Sequence, residues 1–265
     1  MINRSTKLIT APLITLLFVF SLQFCSSQKE NLDAANIAET FESGMTFLEK
    51  ENYLKAEETF TFIIYNDPGG AFADDAQFQL AETYFARDDF LLAISEYDRL
   101  LRRMKNSSYV EDAFWRKTEA YCELSPDYRL ERDMTDKALR YLYDFKEIHP
   151  DSKYIPDANE RIIEMKEKLA KKELETAKLY TTLHEYESAV YYYDSVIDQY
   201  MDTKLYASAR LGKAEAMVAL EKWEEARELM NSIAIDGKGD LSPIEFARLK
   251  SLGNKVVEMM KTKTD

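Results

Sequence analysis

Two cysteines, two histidines and one short acidic loop are the groups in this 265-residue chain whose type invites chemistry, and their spacing decides what they can do. A pair of thiols, Cys25 and Cys122, is too few for a disulfide framework. Cys122 lies one helical turn from Glu119 and reads as a small buried hydrophobe. His149 precedes Pro150, and His184 precedes Glu185 at a helix start. Neither has a second His or a Cys at ligand spacing, so both read as surface turn residues and not as metal ligands or bases. Asp236-Gly237-Lys238-Gly239-Asp240 begins like a calcium loop, but Lys238 fills a ligand position and Leu241 the obligatory glycine, so a flexible turn is expected. Asn106-Ser107-Ser108 matches a glycosylation sequon and reads as a turn. The chain has no G-x-S-x-G, H-E-x-x-H or phosphate loop. The expectation is a chain with no catalytic residues, no metal and no cofactor.

Chemistry of another kind sits at the N-terminus. Arg4 and Lys7 precede an apolar run from Leu8 to Leu22, after which the chain reads Gln23-Phe24-Cys25-Ser26-Ser27. A basic start, a short apolar stretch and a polar exit describe a secretory signal, and the run is shorter than the ~20 residues of a spanning helix. With Leu22 three residues before Cys25, the segment resembles a bacterial lipoprotein signal, in which the cysteine becomes acylated after cleavage; Phe24 is larger than the residue usual before it. Ser26 after the cysteine points to the outer membrane. Residues 1–24 are thus expected to be a signal peptide and 25–35 a tether. The formal net charge of −13 disfavours nucleic acid and keeps the body off an anionic bilayer, so the acyl anchor is the membrane contact.

The remainder of the chain is repetitive. A shift of 37 residues superposes Gly44 on Ala81, Phe47 on Tyr84, Ala56 on Ala93 and Phe60 on Tyr97, and then Asp75-Ala76 on Asp112-Ala113 and Phe78 on Trp115. A shift of 51 carries His149-Pro150-Asp151-Ser152-Lys153 onto Tyr200-Met201-Asp202-Thr203-Lys204 and Ala138 onto Ala189. Each unit places a small residue where two helices approach and large residues beside it. Five such units resemble the tetratricopeptide repeat, whose period is ~34 residues, and predict an all-α solenoid of five helix pairs. The run from Ile155 to Tyr180 has no glycine and only Pro156, at a first-turn position, so one long helix is expected to bridge units one to three (36–154) and the rest (155–265). Ser242-Pro243 to about Met260 reads as a capping helix.

Register places Phe41, Met45 and Leu48, then Phe78, Glu82 and Phe85, then Trp115 and Glu119 on the first helices of units one to three, which line the inner surface of such arrays. Lys171, Leu174 and Lys178, then Ser208, Leu211 and Glu215, hold these places in units four and five. An aromatic groove over Phe41, Met45, Phe78, Phe85 and Trp115 would suit an extended peptide carrying aromatic residues; packing of these rings against the neighbouring unit is the alternative.

The segment from Phe145 to Thr203 narrows the reading. His149-Pro150-Asp151-Ser152-Lys153-Tyr154, Asp157-Ala158 and Lys168-Leu169-Ala170-Lys171-Lys172-Glu173, together with Tyr200-Met201-Asp202-Thr203-Lys204, resemble the BamD family of lipoproteins of the outer-membrane β-barrel assembly machine. Met201 departs from the proline usual in the second turn. The resemblance implies a periplasm-facing, lipid-anchored protein that binds the barrel-inserting subunit, other assembly-machine proteins and unfolded β-barrel substrates. Other envelope scaffolds, for cell division or associated with Tol, remain the alternative reading; an enzyme would need a segment that the repeats leave no room for.

Overall fold

A computed structural model describes residues 36–236 and 241–262. Every regular element among them is helical: α1 Ile37–Glu49, α2 Tyr53–Asn66, α3 Ala73–Ala86, α4 Phe90–Arg103, α5 Val110–Glu123, α6 Asp133–Ile148, α7 Ile155–Thr182, α8 Tyr186–Gln199, α9 Tyr206–Ala219, α10 Trp223–Asp236 and α11 Pro243–Thr262. Consecutive helices pack on one another from α1 to α11, and α11 returns to touch α9. The result is the expected α-solenoid: five antiparallel pairs closed by a single helix.

Small-against-aromatic contacts hold the pairs. Alanines at the start of the second helices (Ala56, Ala93, Ala138, Ala189 and Ala226) are fully buried, and the rings four residues after two of them, Phe60 and Tyr97, are too. A Cβ on Gly44 would come within 2.7 Å of the Phe60 ring, and one on Gly212 within 2.4 Å of Tyr193, so these glycines set the helix separation. Four of the five intra-pair turns share one backbone device. Glu51, Asp88, His184 and Glu221 take φ of 57–63°, and the next amide reaches back to Phe47, Tyr84, Tyr180 and Met217 at 2.8–3.0 Å, closing the carbonyls that a helix end leaves open. None of the four is glycine, so each bears the cost of a left-handed L-residue. His184 is therefore a turn residue with a defined backbone role. The third pair instead crosses by the longer loop after α5, whose Ser125 hydroxyl meets Thr135 at 2.8 Å.

α7 is the exception that organises the molecule. Its 28 residues span about 42 Å at 1.5 Å per residue. The first half contributes Ala158, Ile162 and Met165 to a core with Trp115, Leu142 and Phe145. The second half contributes Leu169, Ala170, Leu174 and Ala177 to a core with Ala189, Tyr193 and Val196. The capping helix starts in a capping box: the Ser242 hydroxyl accepts from the Glu245 amide at 3.3 Å, and the Glu245 carboxylate accepts from the Ser242 amide at 2.9 Å.

Candidate binding surface

The joints between units are built by a recurring latch. In the turn before α5, the Ser107 hydroxyl donates to Asp74 at 2.7 Å and accepts from the Tyr109 amide at 3.1 Å, while the Tyr109 hydroxyl donates to Asp75 at 2.8 Å. The Tyr109 ring stacks on Phe78, centroids 4.6 Å apart. Before α7 the same geometry recurs with new residues: Ser152 to Glu111 at 2.6 Å, Tyr154 to Asp112 at 2.6 Å, and the Tyr154 ring on Trp115 at 5.1 Å. At the first joint Phe72 covers Phe41 at 5.3 Å, and Gly70 stands at the serine position, next to the Asp67 carboxylate.

These latches close the aromatic groove expected from sequence. Trp115 is only 3% exposed, so it is a joint residue and not a free surface ring. Phe41 and Phe78 are half-buried under Phe72 and Tyr109, and Met45 packs with Phe41 on the core around Phe60. Phe85 lies edge-on to Phe90 at 5.2 Å, and the Arg116 guanidinium sits 3.7 Å over its face. Arg116 also forks onto both oxygens of Glu82, at 2.8 and 3.0 Å, and reaches Glu119 at 2.9 Å. Phe41, Phe78 and Trp115 thus each meet a ring from the turn that follows their unit, and Phe85 meets Phe90 of α4 and Arg116 of α5.

The network shifts its titrations. Burial, the Glu82 charge and its hydrogen bond push the Tyr97 hydroxyl far above the ordinary phenol range. Burial raises the Glu119 carboxyl despite Arg116, and it raises the Cys122 thiol to about 12, far from a reactive thiolate. Burial also lifts Asp112, but hydrogen bonds from Tyr154 and Lys153 outweigh it and hold this carboxyl low. His149 is half-buried, its ring 5.9 Å from Phe114 and 5.2 Å from Phe145, which makes it more of a packing residue than a surface turn.

Counting back ten residues from each left-handed turn residue aligns Phe41, Phe78, Leu174 and Leu211. Leu174, not Lys171, is therefore the counterpart of Trp115; the whole-turn insertion in α7 hid this three-residue offset. Lys171 holds the place of Asp75 and Asp112, Lys178 that of Glu82 and Glu119, and Leu205 that of Tyr109 and Tyr154. At the fourth joint no ring is supplied from either side, and the carboxylate that received the tyrosine has become an ammonium. The vacated space is a cleft of about 550 Å³ lined by Tyr128, Lys168, Lys171, Leu174, Lys178 and Leu205 among others. A second cleft of about 390 Å³ adjoins it through Glu164, with Glu119, Asp157, Glu160 and Arg161 around the edge of Trp115. In the fifth unit Ser208 donates to Glu245 at 2.6 Å, Leu211 is buried, and Arg248 forks onto Glu215, so α11 occupies that stretch. Tyr128, Lys168 and Lys204 are not anticipated by the repeat register. The usable signal was the stripe Asp157, Glu160, Glu164, Lys168, Lys171, Glu175, Lys178, spaced three and four apart on one helix face.

Cys25 and the signal segment lie outside the described residues, as do residues 237–240 of the calcium-like loop. Among the described residues no group of His, Cys, Asp or Glu is placed to hold a metal ion, and no helix is long and apolar enough to cross a membrane.

Comparison with known proteins places this architecture. Residues 33–230 match the family described as "YfiO: Outer membrane lipoprotein". The outer membrane protein assembly factor BamD of Rickettsia prowazekii is 26% identical over 226 residues, covering 85% of this chain and 89% of that protein. BamD of Caulobacter vibrioides is 22% identical over 209 residues, covering 79% and 68%. Among solved structures, the TPR2AB domain of yeast Sti1 superposes with a TM-score of 0.44 at 14% identity, covering 85% of this chain and 100% of that one. With the match running through all five helix pairs, this chain belongs to the YfiO family of outer membrane lipoproteins.

Proposed function

We propose that this chain is a non-catalytic assembly factor for outer membrane β-barrel proteins. In this reading Cys25 is acylated and holds the array at the periplasmic face of the outer membrane. The body binds the barrel-inserting subunit and receives unfolded barrel segments. The observation that carries the reading is the family match across residues 33–230, supported by relatives named as outer membrane protein assembly factors. The structure suits it physically. Five stacked pairs offer a long surface with no built reaction centre among the described residues, and recognition by such arrays is spread over several units.

The surface on offer differs from the sequence expectation. Phe41, Met45, Phe78 and Phe85 are half-buried and Trp115 is sealed, so the N-terminal stretch offers a partly covered apolar surface. Purification from native envelopes tests the role: the barrel-inserting subunit is expected to co-purify, and recovery of division or Tol components alone would replace this reading. Labelling the preprotein with palmitate, with Cys25→Ala as control, tests the anchor.

A further inference from the structure

We propose that the two adjoining clefts along α7 form one recognition track for an extended polypeptide segment with a basic residue, an acidic residue four positions on, and an apolar residue two beyond that. This deepens the function proposed above and rests on it, since the segment would belong to a client protein.

Intramolecular pairing leaves a few charges over along this helix. In the cleft beside Trp115, Arg161 is spent on Glu164 and Glu123, both at 2.9 Å, and Glu119 on Arg116. Asp157 and Glu160 are exposed and form no ion pair among the described residues. In the neighbouring cleft Lys178 pairs with Glu175 at 2.9 Å, Lys204 with Glu167 at 2.6 Å and Lys168 with Glu164 at 3.6 Å; Asp127 is held by Arg129 at 2.8 Å. Lys171 is left, its ammonium 4.4 Å over the Tyr128 ring; it is in no ion pair among the described residues, and Asp127, held by Arg129, is the carboxylate that feels its charge. One helix face thus shows anions outside any ion pair toward its start and such a cation toward its end, next to half-buried Leu205 and the 3% of Leu174 that reaches the cleft.

Glu160 and Lys171 are eleven residues apart, about 16 Å along the helix. Four steps of an extended strand cover about 13 Å and keep both side chains on one face, and the long Glu160 and Lys171 side chains take up the remaining ~3 Å. Leu174 lies about 21 Å from Glu160 along the helix, which six strand steps of ~3.3 Å cover, so a side chain two positions beyond the acidic one reaches it. Uniform polyanions fit the lysine end and meet repulsion at the other, so the sign change selects a mixed-charge polypeptide. Leu174, Leu205 and Lys171 stand where the third joint has Trp115, Tyr154 and Asp112. The segment would supply in trans the side chain and the opposite charge that the fourth joint lacks.

The test uses the full mature chain and fluorescent seven-residue peptides, blocked at both ends. One has arginine, aspartate and leucine at positions one, five and seven; a second has lysine in place of the aspartate; a third moves the aspartate next to the arginine. The first is expected to bind tightest. Lys171→Glu is expected to weaken it about tenfold and to favour the lysine peptide, with Glu160→Lys weakening the first by a similar factor. Both positions are exposed, and circular dichroism checks the fold. Failure of the first peptide to bind, equal affinity for all three, or a preference unmoved by Lys171→Glu would overturn the proposal. Binding of a full-length unfolded barrel protein, measured in parallel, separates the two readings. If wild type binds it and the variants bind it equally, only the track is lost; if wild type does not bind it, the client-binding role falls as well.

Discussion

The third and fourth joints share a register and end in opposite states. Trp115 and Tyr154 stack at the third with Asp112 receiving the tyrosine hydroxyl; Leu174, Leu205 and Lys171 replace all three at the fourth, and a cleft of about 550 Å³ opens. The helices hardly need to move for this, because Ala177, Ala189 and Tyr193 still pack behind it. A repeat array can therefore make a binding site by omission: the scaffold stays, the ring pair is withdrawn, and the cleft is left to half-buried Leu205 and exposed Lys171 over a buried Leu174. The reverse holds for the N-terminal units, where aromatic residues that look available in sequence are consumed by the turns that come after them.

The largest test of this contrast is truncation at both joints. Trp115→Ala is expected to cost about 4 kcal/mol, since it empties the stacking site under Tyr154, and Leu174→Ala about 2–3 kcal/mol because an equally buried but smaller side chain is removed. Urea unfolding monitored by far-ultraviolet circular dichroism measures both; equal losses would mean the fourth joint is as tightly packed as the third. A smaller effect sharpens the role of the latch hydroxyl. Tyr154→Phe keeps the ring and removes one hydrogen bond to a carboxylate that Lys153 also holds at 3.1 Å, so about 1 kcal/mol is expected. In Leu205→Tyr the new hydroxyl can accept from Lys171 but meets no carboxylate at that position to donate to, so any gain in stability is expected to stay below the loss in Tyr154→Phe.

Acidity gives the smallest and most local effect. Asp112 titrates low in the folded chain, so its contribution is present above the ordinary carboxylate value of about 4 and is lost as pH falls through its lowered folded value. Melting temperature measured on acidification should fall less steeply in Asp112→Asn than in wild type. Lys171→Asp, which restores the acid without the tyrosine, should add no such slope.

The sequence carried the architecture almost completely, for a physical reason. Helix pairs depend on small residues at crossings, apolar stripes and proline at first turns, all local signals, so Gly44 against Phe60, the bridging helix and the Ser242-Pro243 cap could be read directly. The binding surface was less legible. Whether Trp115 faces solvent depends on Tyr154, 39 residues away and beyond another helix, and no periodicity reports that. The offset at Leu174 was hidden because the insertion in α7 preserves helical phase while shifting the count. The left-handed residues at Glu51, Asp88, His184 and Glu221 carried no glycine to announce them.

α7 has one more consequence. Its two halves are embedded in different cores, so its unbroken backbone acts as a splint across the middle of the array. Most solenoids can flex where one unit meets the next; here the third and fourth joints are bound to a single rod, and bending between them requires breaking helical hydrogen bonds. Occupants of the clefts on that rod meet a ruler of fixed length, and selection by spacing becomes available to a protein assembled from otherwise pliant parts.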